Sequence, residues 1–285
     1  MNIKEGSDMI DSYERYLILS DMDGTLIGSN FKISQKNFNA IRYFIEHGGI
    51  FGVATGRTKY SIRPYMGDLK PNGPCILYNG ALVYDFEKDR DIKSEFLEKH
   101  MLDEYVDHCL KNFENMTVEI STPEMMYIVS PEGNVDPSVE REKKVFRYSA
   151  LAEVSEMDWY KAILFDTGKN LFEAQAALKA FELEERLENV FSQDFYLELL
   201  KKNVSKGMAL EGLKKLPRFS QKTVIAVGDY DNDIGMIKSA DVGIAVRNAR
   251  DCVKQAADII TVSNDEDVMQ DIIFNILPAL QIKRC

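Results

Sequence analysis

The chain has 285 residues, 45% of them hydrophobic, and a formal net charge of −11, so it can bury a sizeable core as one large domain or, more readily, two. An acidic surface argues against nucleic-acid and anionic-membrane partners, both of which need basic patches, and no run approaches the roughly 18 to 20 apolar residues that span a bilayer. Cys75, Cys109, Cys252 and Cys285 show no CxxC pairing and no further ligands at metal spacing, and they read as the reduced thiols of a cytoplasmic protein.

Residues 1–15 mix charge and polarity without an apolar h-region and read as a loose tail rather than a secretory signal. Tyr16 to Leu19 is a short apolar run suited to a strand buried on both faces of a parallel sheet, and it leads into Asp21-Met22-Asp23-Gly24-Thr25. Ser34 can cap a helix with Phe38, Ile41, Phe44 and Ile45 at helical period, closed by Gly48-Gly49. Ile50 to Ala54 is a second strand, ending in Thr55-Gly56-Arg57, and completes a βαβ unit. A short helix around Ile62 to Met66 tolerates Pro64 only in its first turn. Asn79-Gly80, between Cys75–Tyr78 and Ala81–Tyr84, predicts a tight hairpin turn.

From Phe86 the texture changes. The charged run Glu87 to Asp91 reads as a linker, followed by a helix over 102–113, strands at 116–120 and 125–129, a polar stretch over 132–144, a strand at 160–165 and a long amphipathic helix over 171–187. His47, His100 and His108 read as surface or satisfied core positions. The earlier style returns with a strand at 195–199, a helix opened by Val204-Ser205-Lys206-Gly207 and a buried strand at Thr223–Val227 ending in Gly228-Asp229-Tyr230-Asp231-Asn232-Asp233. Further strands at 242–246 and 259–262 and helices from Asp233, from Asn248 and over 266–277 complete the alternation. The pattern predicts an α/β fold: a doubly wound, Rossmann-like, mostly parallel sheet over 16–84 and 191–285, with an inserted α/β domain over 85–190.

Ligands of open parallel sheets bind beyond the carboxyl ends of the strands, and each unusual polar cluster falls at such an end: Asp21 and Asp23, Thr55, and Asp229 with Asp233. Converging carboxylates repel one another unless a divalent cation relieves them, and without a His or Cys cluster the cation expected is Mg²⁺ rather than zinc. Such a site can accept a phosphoryl group, with Lys206 offsetting its charge and Thr55 and backbone amides, including that of Gly56, binding its oxygens. One carboxylate of the first pair would attack phosphorus while the other handles the proton. Arg57 reads as an ion-pairing residue or a phosphate contact. Asn232 and Asp233 are also ordinary helix-cap residues.

Asp21 to Thr25, Ala54 to Arg57, Val204 to Gly207 and Gly228 to Asp233 together resemble the four motifs of the haloacid dehalogenase superfamily. Their order and separation resemble the Cof-like phosphatases with a type IIB cap. The resemblance implies that Asp21 is nucleophile and metal ligand, and that Asp23 is the acid/base with a main-chain carbonyl on the metal. It implies that Thr55 and Lys206 hold the phosphoryl group, that Asp229 binds Mg²⁺, and that Asn232 (on the phosphate side) and Asp233 (on the metal side) support the site. It further implies a mobile cap that selects the leaving group, within which Met125, Tyr127, Trp159 and Lys161 are candidate substrate-facing residues. Asp267 stands where the family usually has Gly. The activity expected is hydrolysis of small phosphorylated metabolites, sugar phosphates foremost, by a monomer or small homo-oligomer. Phosphoryl transfer to another hydroxyl and a non-catalytic metabolite-binding role are the alternatives.

Overall fold

In the computed structural model, which describes residues 12–133, 135–137, 139 and 145–282, the strands follow in chain order. They are β1 Tyr16–Ser20, β2 Ile50–Val53, β3 Cys75–Leu77, β4 Leu82–Asp85, β5 Arg90–Ser94, β6 Thr117–Ser121 and β7 Met126–Ile128. After them come β8 Phe146–Tyr148, β9 Lys161–Phe165, β10 Leu187–Gln193, β11 Tyr196–Lys201, β12 Thr223–Gly228, β13 Val242–Ala245 and β14 Ile259–Ile260. The short apolar runs at the two ends of the sequence form one five-stranded sheet, ordered β14-β13-β12-β1-β2 and parallel throughout. Side chains alternate along each strand. Leu17, Leu19, Val224 and Ala226 therefore pack with Leu210 and Leu213 of the helix Lys206–Lys214, whereas Tyr16, Ile18, Ile225 and Val227 pack with Ile41 and Phe44 of the helix Gln35–Glu46. The doubly wound expectation is met, and β1 and β12, adjacent at the centre, bring the carboxyl ends carrying Asp21 and Asp229 side by side.

The middle of the chain forms a six-stranded sheet ordered β10-β11-β9-β6-β7-β8, antiparallel except for β7 with β8. One face, with Val118, Ile120, Ala162, Leu164, Leu197 and Leu199, is buried under the helices Asp103–Asn112 and Asn170–Ala177. The other face is more polar and looks toward the parallel sheet's crevice.

Several expectations are corrected. The strand expected at 195–199 is β11, and with β10 it joins the six-stranded sheet, so residues 191–201 do not lie in the parallel sheet. Its alternating Tyr196-Leu197-Glu198-Leu199 suits a sheet with one polar face rather than a doubly covered one. The long helix over 171–187 stops at Ala177, and the chain turns through Glu182 at φ 57° to start β10. The charged run after Phe86 is the turn into β5 rather than a linker. Pro64 sits in the second turn of the helix Lys59–Leu69, held there by a Thr58–Ser61 capping box and by burial of Ile62, Met66 and Leu69. The β3–β4 hairpin forms, but it is joined by a 3-10 turn, Tyr78–Gly80, rather than a two-residue loop. The helix expected from Asn248 starts at Asp251. Of the expected tail, residues 1–11 lie outside the described residues, while Tyr13 is buried and its hydroxyl donates to the Ile273 carbonyl at 3.1 Å. Cys75, Cys109 and Cys252 are free thiols, and Cys285 lies outside the described residues.

Candidate active site

β1 ends where its neighbours can hold the next residue: the Asp21 amide donates to the Val227 carbonyl at 2.8 Å. The chain must then turn across β12, and Gly24, at φ +81°, allows it, since a Cβ there would lie 2.5 Å from Asp229 Oδ2. Lys206 is the first residue of a helix capped by Ser205, whose hydroxyl accepts from the Met208 amide at 3.2 Å. The hairpin turn after β3 presses on this cap, and a Cβ on Gly80 would fall 2.3 Å from the Ser205 carbonyl oxygen. Lys206, 1% exposed, is thereby aimed inward and donates to Asp21 Oδ1 and Asp233 Oδ1, both at 2.7 Å. The second Asp233 oxygen accepts from the amides of Asp229 and Tyr230 at 2.9 and 3.1 Å. Asp229 Oδ1 accepts from the Thr25 hydroxyl at 2.8 Å.

Around this buried core stand the other expected residues. Thr55 is buried at the end of β2, its amide donating to the Ile76 carbonyl at 2.8 Å. With Asp21, Asp23, Gly56, Asp229 and Asn232 it lines one crevice of about 430 Å³, a volume suited to a small molecule. Asp23 is gripped by Arg57, whose Nε and one terminal nitrogen each approach a carboxylate oxygen to 2.7 Å. Of the two readings of Arg57, the structure gives the ion pair. Asn232 donates its amide to Asn79 Oδ1 at 3.0 Å, so it steadies the hairpin turn. Asp267 adopts φ 64°, the left-handed conformation a Gly would take there. Its carboxylate accepts from the Ser34 hydroxyl at 2.6 Å and Lys36 Nζ at 2.8 Å, bonds that help offset the strain.

The electrostatics are those of crowded carboxylates. Burial, and then the charges of Asp233, Asp229 and Asp23, push Asp21 well above the usual carboxylate range despite Lys206. Burial and Asp233 raise Asp229 to about 7. Burial works against the Lys206 charge, yet Asp21 and Asp233 outweigh it and raise its pKa. Asp21, Asp229 and Asp233 each bring one oxygen within 4.8 Å of the others. This oxygen-only donor set fits a hard divalent cation. Both oxygens of Asp233 also accept hydrogen bonds, from Lys206 and from the Asp229 and Tyr230 amides.

The roof comes from the six-stranded sheet: Glu119, Ser121, Met126, Lys161, Ile163, Tyr196 and Glu198 line the same crevice. Lys161, 2% exposed, donates to Glu198 Oε2 at 2.5 Å and to the Gly56 carbonyl at 2.7 Å, and Asn79 donates to Glu198 at 2.8 Å. A buried ion pair thus joins the roof to the loop after β2. Of the substrate-facing candidates, Lys161 lines the crevice, whereas Trp159 is buried in the core behind that sheet, against which Tyr127 also packs. Sequence reasoning missed Glu119, Ser121, Tyr196 and Glu198 as crevice residues. The available signal was polarity at every second position of otherwise apolar strands.

A family model for haloacid dehalogenase-like hydrolases matches residues 18–273. A Bacillus subtilis 5-amino-6-(5-phospho-D-ribitylamino)uracil phosphatase is 30% identical over 251 residues, covering 88% of this chain and 91% of that protein. Among solved structures, a haloacid dehalogenase-like hydrolase from B. subtilis is 29% identical with a TM-score of 0.79, covering 91% of this chain and 99% of the other. A subclass IIB sugar phosphatase of that superfamily has the same TM-score at 20% identity over 92% and 98% of the two chains, a likeness of fold.

Proposed function

Because the chain belongs to the haloacid dehalogenase-like hydrolases, we propose that it is a Mg²⁺-dependent phosphatase of small phosphorylated metabolites, sugar phosphates foremost. The observation that carries this reading is Asp21, buried at a strand end with Lys206 at 2.7 Å and facing a crevice shared with Asp23, Thr55 and Asp229. The B. subtilis relative is a phosphatase for an ester on a ribityl chain, which supports a small polyol or sugar ester.

Asp21 attacks phosphorus in line and becomes an aspartyl-phosphate. Asp23, oriented by Arg57, protonates the leaving oxygen and then takes a proton from the water that hydrolyses the intermediate. Lys206 offsets phosphoryl charge, and Thr55 and the Gly56 amide bind the phosphoryl oxygens, with Asn232 behind them. Asp21, Asp229 and the Asp23 main-chain carbonyl would hold Mg²⁺, with Asp233 fixed behind, and the bound ion would draw off negative charge from the phosphoryl group. The six-stranded domain serves as the cap that covers the leaving group.

The direct test is a phosphate-release screen over sugar phosphates, nucleotides, pyridoxal phosphate and flavin-pathway intermediates, with Mg²⁺ and with EDTA. Release that needs Mg²⁺ but no bisphosphate activator is expected, and silence across the panel would overturn the reading. Asp23→Asn should slow alkyl esters by about 10²-fold or more, with p-nitrophenyl phosphate less affected because its leaving group needs little protonation. Mg²⁺ affinity should survive in that variant, and its loss would show the two Asp roles wrongly divided.

Proton and cation compete for the carboxylate cluster. Asp229 has a folded pKa of about 7 against an ordinary 3.8, so the metal-free folded state binds more protons than the unfolded one between those values, and this group's contribution to stability falls as pH rises through that window. Mg²⁺ displaces that proton, so its affinity should tighten as pH rises through about 7. Calorimetric titration at about pH 5.5 and about pH 8 checks this. Equal affinities would place the metal elsewhere.

A further inference from the structure

The loop after β2 is held carbonyl by carbonyl. The Thr55 carbonyl accepts from the Asn79 amide and the Arg57 carbonyl from the Tyr78 amide, both at 3.1 Å, so the β3–β4 turn holds the first and third carbonyls of Thr55-Gly56-Arg57. The carbonyl between them, that of Gly56, is taken by the roof: Lys161 Nζ of β9 donates to it at 2.7 Å. The amide of the same peptide, that of Arg57, donates to the Thr55 hydroxyl oxygen at 3.1 Å. The plane joining Gly56 to Arg57 is thus pinned at both edges, by Lys161 on one side and by Thr55 on the other. Lys161 is itself pinned, since it is 2% exposed and donates to Glu198 Oε2 at 2.5 Å, an oxygen that also accepts from Asn79 Nδ2 at 2.8 Å. The three segments meet closely, and a Cβ on Gly56 would lie 3.2 Å from Asn79 Nδ2 and 3.3 Å from Glu198 Oε1.

The orientation of that plane decides what Thr55 can do. A threonine hydroxyl has one hydrogen to donate and lone pairs with which to accept. While the Arg57 amide faces Thr55, the hydroxyl oxygen is an acceptor within the loop, and its hydrogen remains for an oxygen in the crevice that Thr55 lines. If the plane turned over, the Gly56 carbonyl would face Thr55 and claim that hydrogen. A peptide plane beside a glycine turns over at little steric cost. An anchor on the carbonyl prevents this, and a charged donor makes a bond about twice as strong as a neutral one.

We propose that Lys161, held by Glu198, is a positioning residue of the phosphoryl site: by fixing the Gly56 carbonyl it keeps the Arg57 amide on Thr55 and reserves the Thr55 hydroxyl hydrogen for a phosphoryl oxygen. The proposal rests on the phosphatase reading and adds to it a roof residue that acts on the phosphate through the loop rather than on the leaving group.

The test is a double-mutant cycle on the full chain with Mg²⁺, read as the inhibition constant of inorganic phosphate, which has no leaving group, and as kcat/KM for p-nitrophenyl phosphate. Lys161→Met is combined with Glu198→Gln so that no unpaired charge is left buried in the roof. With Thr55 in place, this pair of changes should weaken phosphate binding and lower kcat/KM by about tenfold each, the factor for one hydrogen bond of ordinary strength. In a Thr55→Val background the same pair should change either quantity by less than about twofold, because the hydroxyl through which Lys161 acts is gone. An equal loss in both backgrounds overturns the proposal in favour of general support of the fold, and an unchanged phosphate constant overturns it in favour of a contact with the leaving group. A crystal structure of the unsubstituted protein with Mg²⁺ and orthovanadate tests the same point without a variant. It should place the Thr55 hydroxyl within hydrogen-bond distance of a vanadate oxygen and the Gly56 carbonyl on Lys161, and a Gly56 carbonyl turned toward Thr55 overturns this proposal alone. Failure to hydrolyse any ester overturns the phosphatase reading and this proposal with it.

Discussion

Asp21→Asn should lower turnover of any phosphate ester by at least about four orders of magnitude while leaving the protein folded. The side chains are nearly isosteric, and the amide oxygen can still accept the Lys206 hydrogen bond that now spans 2.7 Å, but it cannot attack phosphorus and form the acyl phosphate. The same change removes a buried negative charge that Asp233, Asp229 and Asp23 all oppose. The metal-free variant should therefore melt at the same temperature as the wild type or higher, an uncommon sign for a core substitution. Substrate binding, followed by calorimetry, should persist. Retention of more than about 1% of turnover would remove Asp21 from the nucleophile's role, since loss of the reacting atom leaves only binding and charge stabilisation.

Lys206→Met should be the most damaging single change to stability in the site. Methionine has comparable length and packs well, so the loss is almost wholly that of the charge. Asp21 and Asp233, 6% and 0% exposed, are left without the cation that both now bond. Breaking a buried ion pair from one side typically costs about 3–5 kcal/mol, because the remaining charge is neither solvated nor paired. Urea unfolding of the metal-free protein measures this, and added Mg²⁺ should recover part of the loss by serving the same carboxylates. Turnover should fall together with stability. A cost under about 1 kcal/mol would mean that the carboxylates take up protons without strain, and that Lys206 matters for phosphoryl charge alone.

The parallel core and the polar residues gathered at its crevice were legible because they obey local rules. Short apolar runs closed by Asp or Gly are what a doubly covered strand and its turn require, and the polar residues at their carboxyl ends reach one crevice in any sheet of this winding. The elements that misled were those whose periodicity was overridden by packing. Leu171, Ala174, Leu178 and Phe181 make a plausible helical face, yet the helix stops at Ala177 and the chain turns back through Glu182 to feed β10. Pro64 stands in the second turn of a helix because burial of Ile62, Met66 and Leu69 outweighs one lost hydrogen bond.

The amino-acid sequence by itself determined which groups can do chemistry: Asp21 and Asp23 two residues apart after a strand, Lys206 opening a helix, Asp229 and Asp233 after another strand. Local geometry carries such motifs wherever the rest of the chain goes. Only the tertiary structure decided that Arg57 grips Asp23, that Asp233 accepts hydrogen bonds on both oxygens, and that β11 belongs to the roof, placing Glu198 beside Lys161 and Glu119 and Ser121 over the crevice. These are contacts between residues far apart in the chain, set by sheet register and by which face of each strand is buried, and neither quantity can be read from a single segment.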